Sequence, residues 1–142
     1  MKLGAEHYQA LAGFRLALRQ FLAASEGISR SSGITQQQYQ AMLAIKTWPS
    51  QVMNMSDLAD QLLLTHHATV QLVNRLTKAN LAKRTPSKVD RRSVLLTLTP
   101  NGEAMVDRLA SEHLREVLRQ EPQLSRSLRR LRRFDRDEEG DA

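Results

Sequence analysis

The sequence predicts a mainly α fold that carries one small antiparallel β element, and three observations lead there. Apolar residues recur at spacings of three and four over most of the 142 residues. That period gives way to alternation only after Leu81, in LAKRT and SVLLTL, which read as two strands around the bend PSKVDRR. Two of the helical segments are joined by only two or three residues before Thr65, the spacing of a helix-turn-helix.

Composition sets the outer limits. A chain of 142 residues supports one folding unit, with room for helices that need a partner. At 41% hydrophobic and 25% charged it is an ordinary globular composition, and 4% aromatic points to a core of Leu, Val, Ile and Ala. The absence of cysteine excludes a disulfide framework, a thiolate zinc site and a thiol redox sensor, and fits a reducing, cytoplasmic location. The opening segment is interrupted by Glu6, Arg15 and Arg19, so it reads as an amphipathic helix and as neither a signal peptide nor a membrane span.

Taken in order, the first helix runs from about Glu6 to Ala24, with Tyr8, Leu11, Phe14 or Leu18, and Phe21 or Leu22 along one buried stripe. GISRSSG is loop chemistry and predicts a break. Thr35 is the N-cap of a second helix to about Lys46, carrying Tyr39, Met42, Leu43 and Ile45 or Lys46 on successive turns, closed by Trp48 and Pro49. Ser56 is the expected N-cap of a short third helix with Leu58, Ala59 and Leu62. The fourth begins at Thr65. At about 100° per residue, Thr69, Leu72, Val73 and Leu76 form its apolar back, and His67, Ala68, Gln71, Asn74, Arg75 and Lys78 its polar front. A front of that kind suits a major groove.

The stretch Thr65–Leu98 organises the chain. Between Thr65 and Arg92 stand seven Lys or Arg and one acid, Asp90, a surplus equal to the +6 of the whole protein. Cation gathered on one helix and its adjoining hairpin is the electrostatic footprint of a surface that meets phosphate. After the hairpin, Thr99 and Pro100 open a fifth helix bearing Met105, Val106, Leu109, Leu114 and Val117 or Leu118, to about Gln120. Pro122 should interrupt it. A last helix carries Leu124, Leu128 and Leu131 before the acidic end, 134–142, which should fray. The sum is a winged helix-turn-helix of about six helices with a two- to three-stranded antiparallel sheet.

That order of elements, with DRR at Asp90–Arg92 followed by LTPNG at Leu98–Gly102, resembles the multiple antibiotic resistance regulator (MarR) family of bacterial winged-helix transcription factors, over nearly the whole chain. HHATVQLVNRL at His66–Leu76 is similar to a recognition-helix subtype with paired histidines. The resemblance implies one MarR-like domain over 1–142, a DNA-binding lobe at 35–98 and dimerisation helices at 5–26 and 100–133. It implies a homodimer, in which Tyr8, Leu11, Leu124, Leu128 and Leu131 would lie at the interface. A pseudo-palindromic double-stranded operator would be read by two copies of the fourth helix, with the wings in flanking minor grooves. It also implies a small aromatic or phenolic effector. Arg91 and Arg92 sit where the family keeps its wing arginines, and Asp90 where it keeps the acid that orients them. Asn74 stands where many members have an Asp paired to a wing arginine, which leaves a neutral hydrogen bond or none. Asn80 stands where a Gly commonly ends the recognition helix, and Asn is the next best left-handed cap.

The expected DNA-binding set is Thr65, His66, His67, Gln71, Asn74, Arg75, Lys78, Arg84, Lys88, Arg91 and Arg92. Gln71 and Asn74 offer bidentate amides to adenine, Arg75 reaches guanine or phosphate, and His67 reads a base edge. Lys83, Arg84 and Lys88 meet phosphate and set affinity, whereas wing-tip arginine suits a narrow A·T-rich minor groove. His66 and His67 point about 100° apart and cannot share one ion from a regular helix, so no metal and no cofactor is expected. Trp48 either closes the second helix as a core residue, the preferred reading, or caps a ligand pocket. Six arginines from Arg126 to Arg136 read as a solvated face before a second DNA patch. With no phosphate loop, no nucleophile beside a base and no ligand spacing, an enzyme is not expected. The two functional classes are a sequence-specific transcriptional regulator, a repressor released by an effector, and a winged-helix module that holds another protein. The second would want an apolar or acidic front on the fourth helix, the opposite of this one.

Overall fold

In the computed structural model, which describes residues 2–90 and 92–140, the helices are α1 (Ala5–Ser31), α2 (Gln36–Thr47), α3 (Met55–Leu62), α4 (His66–Lys78) and α5 (Pro100–Gly140). The strands β1 (Met53–Asn54), β2 (Ala82–Pro86) and β3 (Val94–Leu98) form one antiparallel sheet in the order β1-β3-β2. This is the mainly α, winged-helix class that the sequence predicts.

Local chemistry sets most boundaries. Thr35 opens α2 with a reciprocal capping box: its hydroxyl accepts from the Gln38 N–H and the Gln38 side chain accepts from the Thr35 N–H. Thr65 caps α4 by accepting from the Ala68 N–H at 3.1 Å. At the other end of α4, Asn80 takes φ 57°, and the Leu81 and Asn80 N–H groups donate to the Leu76 and Thr77 carbonyls. That is a Schellman closure with asparagine in the left-handed position, as the sequence predicts. Thr99 caps α5 by accepting from the Gly102 N–H.

Four expectations about where elements begin and end are corrected. First, α1 runs through most of GISRSSG and ends only at Ser31, where Gly33 at φ 79° closes it. The serines are no break because Ser29 is fully buried and its hydroxyl donates to Gln36 Oε1 at 2.7 Å. Second, the N-cap of α3 is Asn54, whose Oδ1 accepts from the Asp57 N–H at 2.8 Å; Ser56 lies inside the helix. Third, Pro122 does not divide the C-terminal helices: α5 passes through it as one helix. Its missing N–H costs one ladder bond, which flanks of Leu, Arg, Glu and Gln, all good helix formers, offset. Fourth, the acidic end is helical as far as Gly140, and Asp141 and Ala142 lie outside the described residues.

The chain divides into two compact units, Ser29–Ser111 and the pair of segments Met1–Ile28 with Glu112–Ala142. In the first, Met42, Ile45, Met53, Leu58, Leu76, Leu96, Val106 and Leu109 are essentially without exposure. Each such side chain contributes about 1.5–3 kcal/mol of transfer free energy. Leu43, expected on the buried face of α2, is 37% exposed, and Ala41 takes its place inside. In the second unit the residues buried within one chain are small or polar: Ala10, Ala17, Ser25 and His113. His113 Nε2 lies 3.2 Å from the Ser25 carbonyl, and the Gln123 amide donates to Gln20 at 2.7 Å. The stripe predicted for α1 is therefore displaced. Ala10, Phe14, Ala17 and Phe21 turn inward, while Tyr8, Leu11, Leu18 and Leu22 on the adjacent face are exposed.

Candidate nucleic-acid interface

Helix α4 is held by its back. Thr69, Leu72, Val73 and Leu76 are buried, and the Thr69 hydroxyl is satisfied within the helix by donating to the Thr65 carbonyl at 2.8 Å. The join from α3 is Leu63–Leu64–Thr65, with Leu63 in the left-handed region at φ 54°. A leucine there costs about 1–2 kcal/mol, a strain carried by the turn that sets the two helices.

The front of α4 is open. His66, His67, Gln71, Asn74, Arg75 and Lys78 are exposed and Ala68 is half-buried. His67, Gln71, Asn74 and Lys78 fall in one line along the axis, since steps of four, three and four residues return to about the same angle. Gln71 Nε2 lies 3.3 Å from His67 Nε2, one turn apart. This line carries donors and acceptors and no apolar side chain.

The hairpin beside it is built from β2 and β3, paired from Ala82↔Leu98 to Pro86↔Val94. The third strand, β1, adds to the far edge of β3 through Met53↔Leu96 and Asn54↔Leu95. Two residues are too few to show a period in the sequence, and the strand is anchored by the fully buried Met53. The tip is closed by its own backbone. Ser87 Oγ accepts from the Val89 and Asp90 N–H groups, and Asp90 Oδ1 accepts from the Arg92 N–H at 3.0 Å. Asp90, expected to orient the wing arginines, thus grips the main chain of Arg92. Lys83, Arg84, Lys88 and Arg92 are exposed, and Arg91 lies outside the described residues.

Helix and hairpin are tied. Arg84 on β2 donates from Nη2 to Asn74 Oδ1 on α4 in a charge-assisted bond. Asn54, His66, Val70, Asn74, Arg84 and Arg92 line a cleft of ≈ 410 Å³ between them. Sequence reasoning missed Asn54 here, although Asn54 followed by Asp57 three residues on is a capping signal. All the described members of the expected DNA-binding set lie on α4, its N-cap or the hairpin.

The remaining candidates lie elsewhere. Trp48 is half-buried as the C-cap of α2, its N–H donating to the Ala44 carbonyl at 3.1 Å. Tyr8, Leu11 and Leu128 are exposed, and Leu124 and Leu131 half-buried, in the two-segment unit. There the Arg130 guanidinium donates to Gln9 at 3.4 Å and His7 stacks on Phe134 at a centroid distance of 4.1 Å. Among the described residues no group of three or more His, Asp or Glu is gathered so as to hold a metal ion. Likewise, no helix among them is long and apolar enough to cross a membrane. Two ion-pair clusters shift their members. The Glu103 carboxylate, with Asp107 behind it, holds the Lys46 ammonium above its ordinary value, and Arg119 holds the Glu116 carboxyl below its own.

Comparison with known proteins agrees with this geometry. Residues 32–93 match the sequence profile of the MarR family. Among curated proteins, none matches this chain. Among solved structures, AbsC, a MarR family transcriptional regulator from Streptomyces coelicolor, is similar with a TM-score of 0.79 at 23% identity, over 84% of this chain and 81% of that one. Sco3205, a MarR family transcriptional regulator from the same organism solved in complex with DNA, gives 0.78 at 21% identity, over 96% and 89%. A mutant MarR from E. coli, complexed with operator DNA, gives 0.63 at 20%, over 68% of each chain. Residues 32–93, the stretch holding the helix-turn-helix and most of the hairpin, thus match the MarR family model, and the chain has the winged-helix fold seen in those regulators.

Proposed function

We propose that the protein is a sequence-specific regulator of transcription that binds double-stranded DNA as a homodimer in the bacterial cytoplasm, a repressor released by a small aromatic or phenolic effector. The observation that carries the reading is the exposed line His67, Gln71, Asn74 and Lys78 on a helix whose back is fully buried, beside a hairpin with Lys83, Arg84, Lys88 and Arg92 in solvent. A helix so held can enter a major groove front first, with the hairpin over the adjoining backbone. The DNA present in the Sco3205 and E. coli MarR mutant structures supports duplex DNA as the partner.

In this reading His67, Gln71, Asn74 and Arg75 face base edges, and Thr65, His66, Lys78, Arg84 and Lys88 face phosphate. Arg91 and Arg92 reach the minor groove, oriented through Asp90. The lobe at 35–98 does the reading, and the helices at 5–26 and 100–133 join two copies. Dimerisation draws support from Tyr8, Leu11, Leu16, Leu22, Leu114, Leu118 and Leu128, all 44% exposed or more in one chain. Apolar area on that scale marks an association surface. The effector acts by favouring dimers whose recognition helices miss the half-site spacing.

The test is fluorescence anisotropy on random and selected duplexes across a salt series. The six cations Lys78, Lys83, Arg84, Lys88, Arg91 and Arg92 of each lobe predict a log–log slope of about −5 per lobe, since each neutralised phosphate contributes roughly −0.9. Replacing Arg91 and Arg92 by Ala lowers affinity and flattens that slope. Affinity indifferent to salt, or unchanged in the double variant, sinks the reading.

A further inference from the structure

We propose, resting on the reading just given, that Arg84 fixes Asn74 as a hydrogen-bond donor toward the groove, so that the middle of the recognition helix selects guanine over adenine. The bond between Arg84 Nη2 and Asn74 Oδ1 crosses from hairpin to helix, and both residues are exposed. Guanidinium carries donors only. Whatever way an asparagine amide is drawn, the end turned to an arginine must therefore be its oxygen, and the end left over is the NH₂.

That orientation decides what Asn74 can read. A bidentate contact to adenine needs one acceptor and one donor presented together, for N6–H and N7. Here the acceptor is already held by a cation, and an adenine amino group approaching its second lone pair would meet the guanidinium donors head on. Guanine offers N7 and O6, both acceptors, and the outward NH₂ fits either. The neighbouring Arg75 adds a second cation that favours the same edge. Gln71 differs: its contact is the His67 imidazole, which donates or accepts according to its tautomer, so its amide keeps both faces available. Adenine contact expected of both amides is thus kept by Gln71 and given up by Asn74. The sheet register fixes the partner. Arg84 lies opposite Leu96, on the face of the sheet that packs toward the helices.

The experiment is selection of bound duplexes from a random pool by the full-length protein and by three variants, followed by binding to single-base changes in the selected site. Asn74→Ala identifies the position that Asn74 reads, as the one whose preference is lost in both half-sites. At that position the unmodified protein prefers guanine over adenine by about tenfold or more, the range of one good base contact. Arg84→Met frees the amide oxygen and brings the ratio to parity or reverses it, besides weakening every sequence alike through a lost phosphate contact. Arg84→Lys, again a donor-only partner, restores the guanine preference. Adenine at the Asn74 position in the unmodified protein overturns the proposal. So does an Arg84→Met protein that binds more weakly with the same base preference, and both results leave the regulator reading standing. A protein that selects no sequence at all removes that reading and this one together.

Discussion

The two units of the chain solve burial differently. Ser29–Ser111 closes a core of large side chains over itself, with Met42, Ile45, Leu58, Leu76 and Leu96 at or near zero exposure. The unit of Met1–Ile28 and Glu112–Ala142 buries alanines, a serine and a histidine, and leaves its leucines outside: Leu16 at 50%, Leu114 at 60%, Leu118 at 63%. The difference teaches where each obtains its stability. The first buries its large apolar side chains within one chain. The second presents half of a core, which a second copy would complete in the proposed homodimer.

The comparison breaks most severely at Gly102, inside the Ser29–Ser111 unit. A β-carbon there would stand 1.9 Å from the Leu81 carbonyl oxygen, a backbone atom that cannot swing aside. Gly102→Ala should lower the unfolding free energy by about 3 kcal/mol or more, the overpacking range with a backbone clash added. Urea melts followed by circular dichroism measure it, and an unchanged midpoint would remove the close approach from the account. Next in size, Leu114→Glu combined with Leu118→Glu should raise the dimer dissociation constant by on the order of 100-fold, about 2.7 kcal/mol. Sedimentation reads this out, and the melt of the Ser29–Ser111 unit should stay where it was. A double variant that remains dimeric would move the interface elsewhere.

The smallest effects sharpen the contrast at opposite ends of the pH scale. Lys46 is raised above its ordinary value, chiefly by its hydrogen bond to Glu103. Its contribution is full below the ordinary lysine value, about 10.4, and is lost as pH climbs through the raised one. Glu116 is lowered, chiefly by Arg119, so its contribution is present above the ordinary glutamate value and is lost as pH falls through the depressed one. Lys46→Met should therefore flatten the alkaline limb of stability for the first unit, and Glu116→Gln the acid limb for the second. Both groups meet solvent and salt, so differences of a few degrees in melting temperature are expected. Limbs that do not respond would assign the pH dependence to other groups.

What the sequence made legible follows the range of the interactions involved. The buried back of α4, its Thr65 cap and the Asn80 closure are settled within a turn or two, and local pattern finds them. The hairpin register follows from alternation between Ala82 and Leu98. Misread features had distant causes. Ser29 is helical because Gln36 satisfies it, and α1 turns Ala17 inward instead of Leu18 because small residues let helices approach closely. Pro122 was outweighed by its neighbours. The partner of Asn74 was not legible: the sequence placed the wing arginines at Arg91 and Arg92 and left Asn74 a neutral hydrogen bond or none, whereas the cation that reaches it is Arg84 on β2.

The hairpin tip has a consequence for DNA contact. Because Ser87 and Asp90 close the bend through main-chain donors, the side chains of Lys88 and Val89, the latter 99% exposed, are not what closes it among the described residues. Neither side chain is needed for the turn itself. In the proposed complex, substitution there changes how the hairpin tip meets the duplex with no compensating change inside the protein.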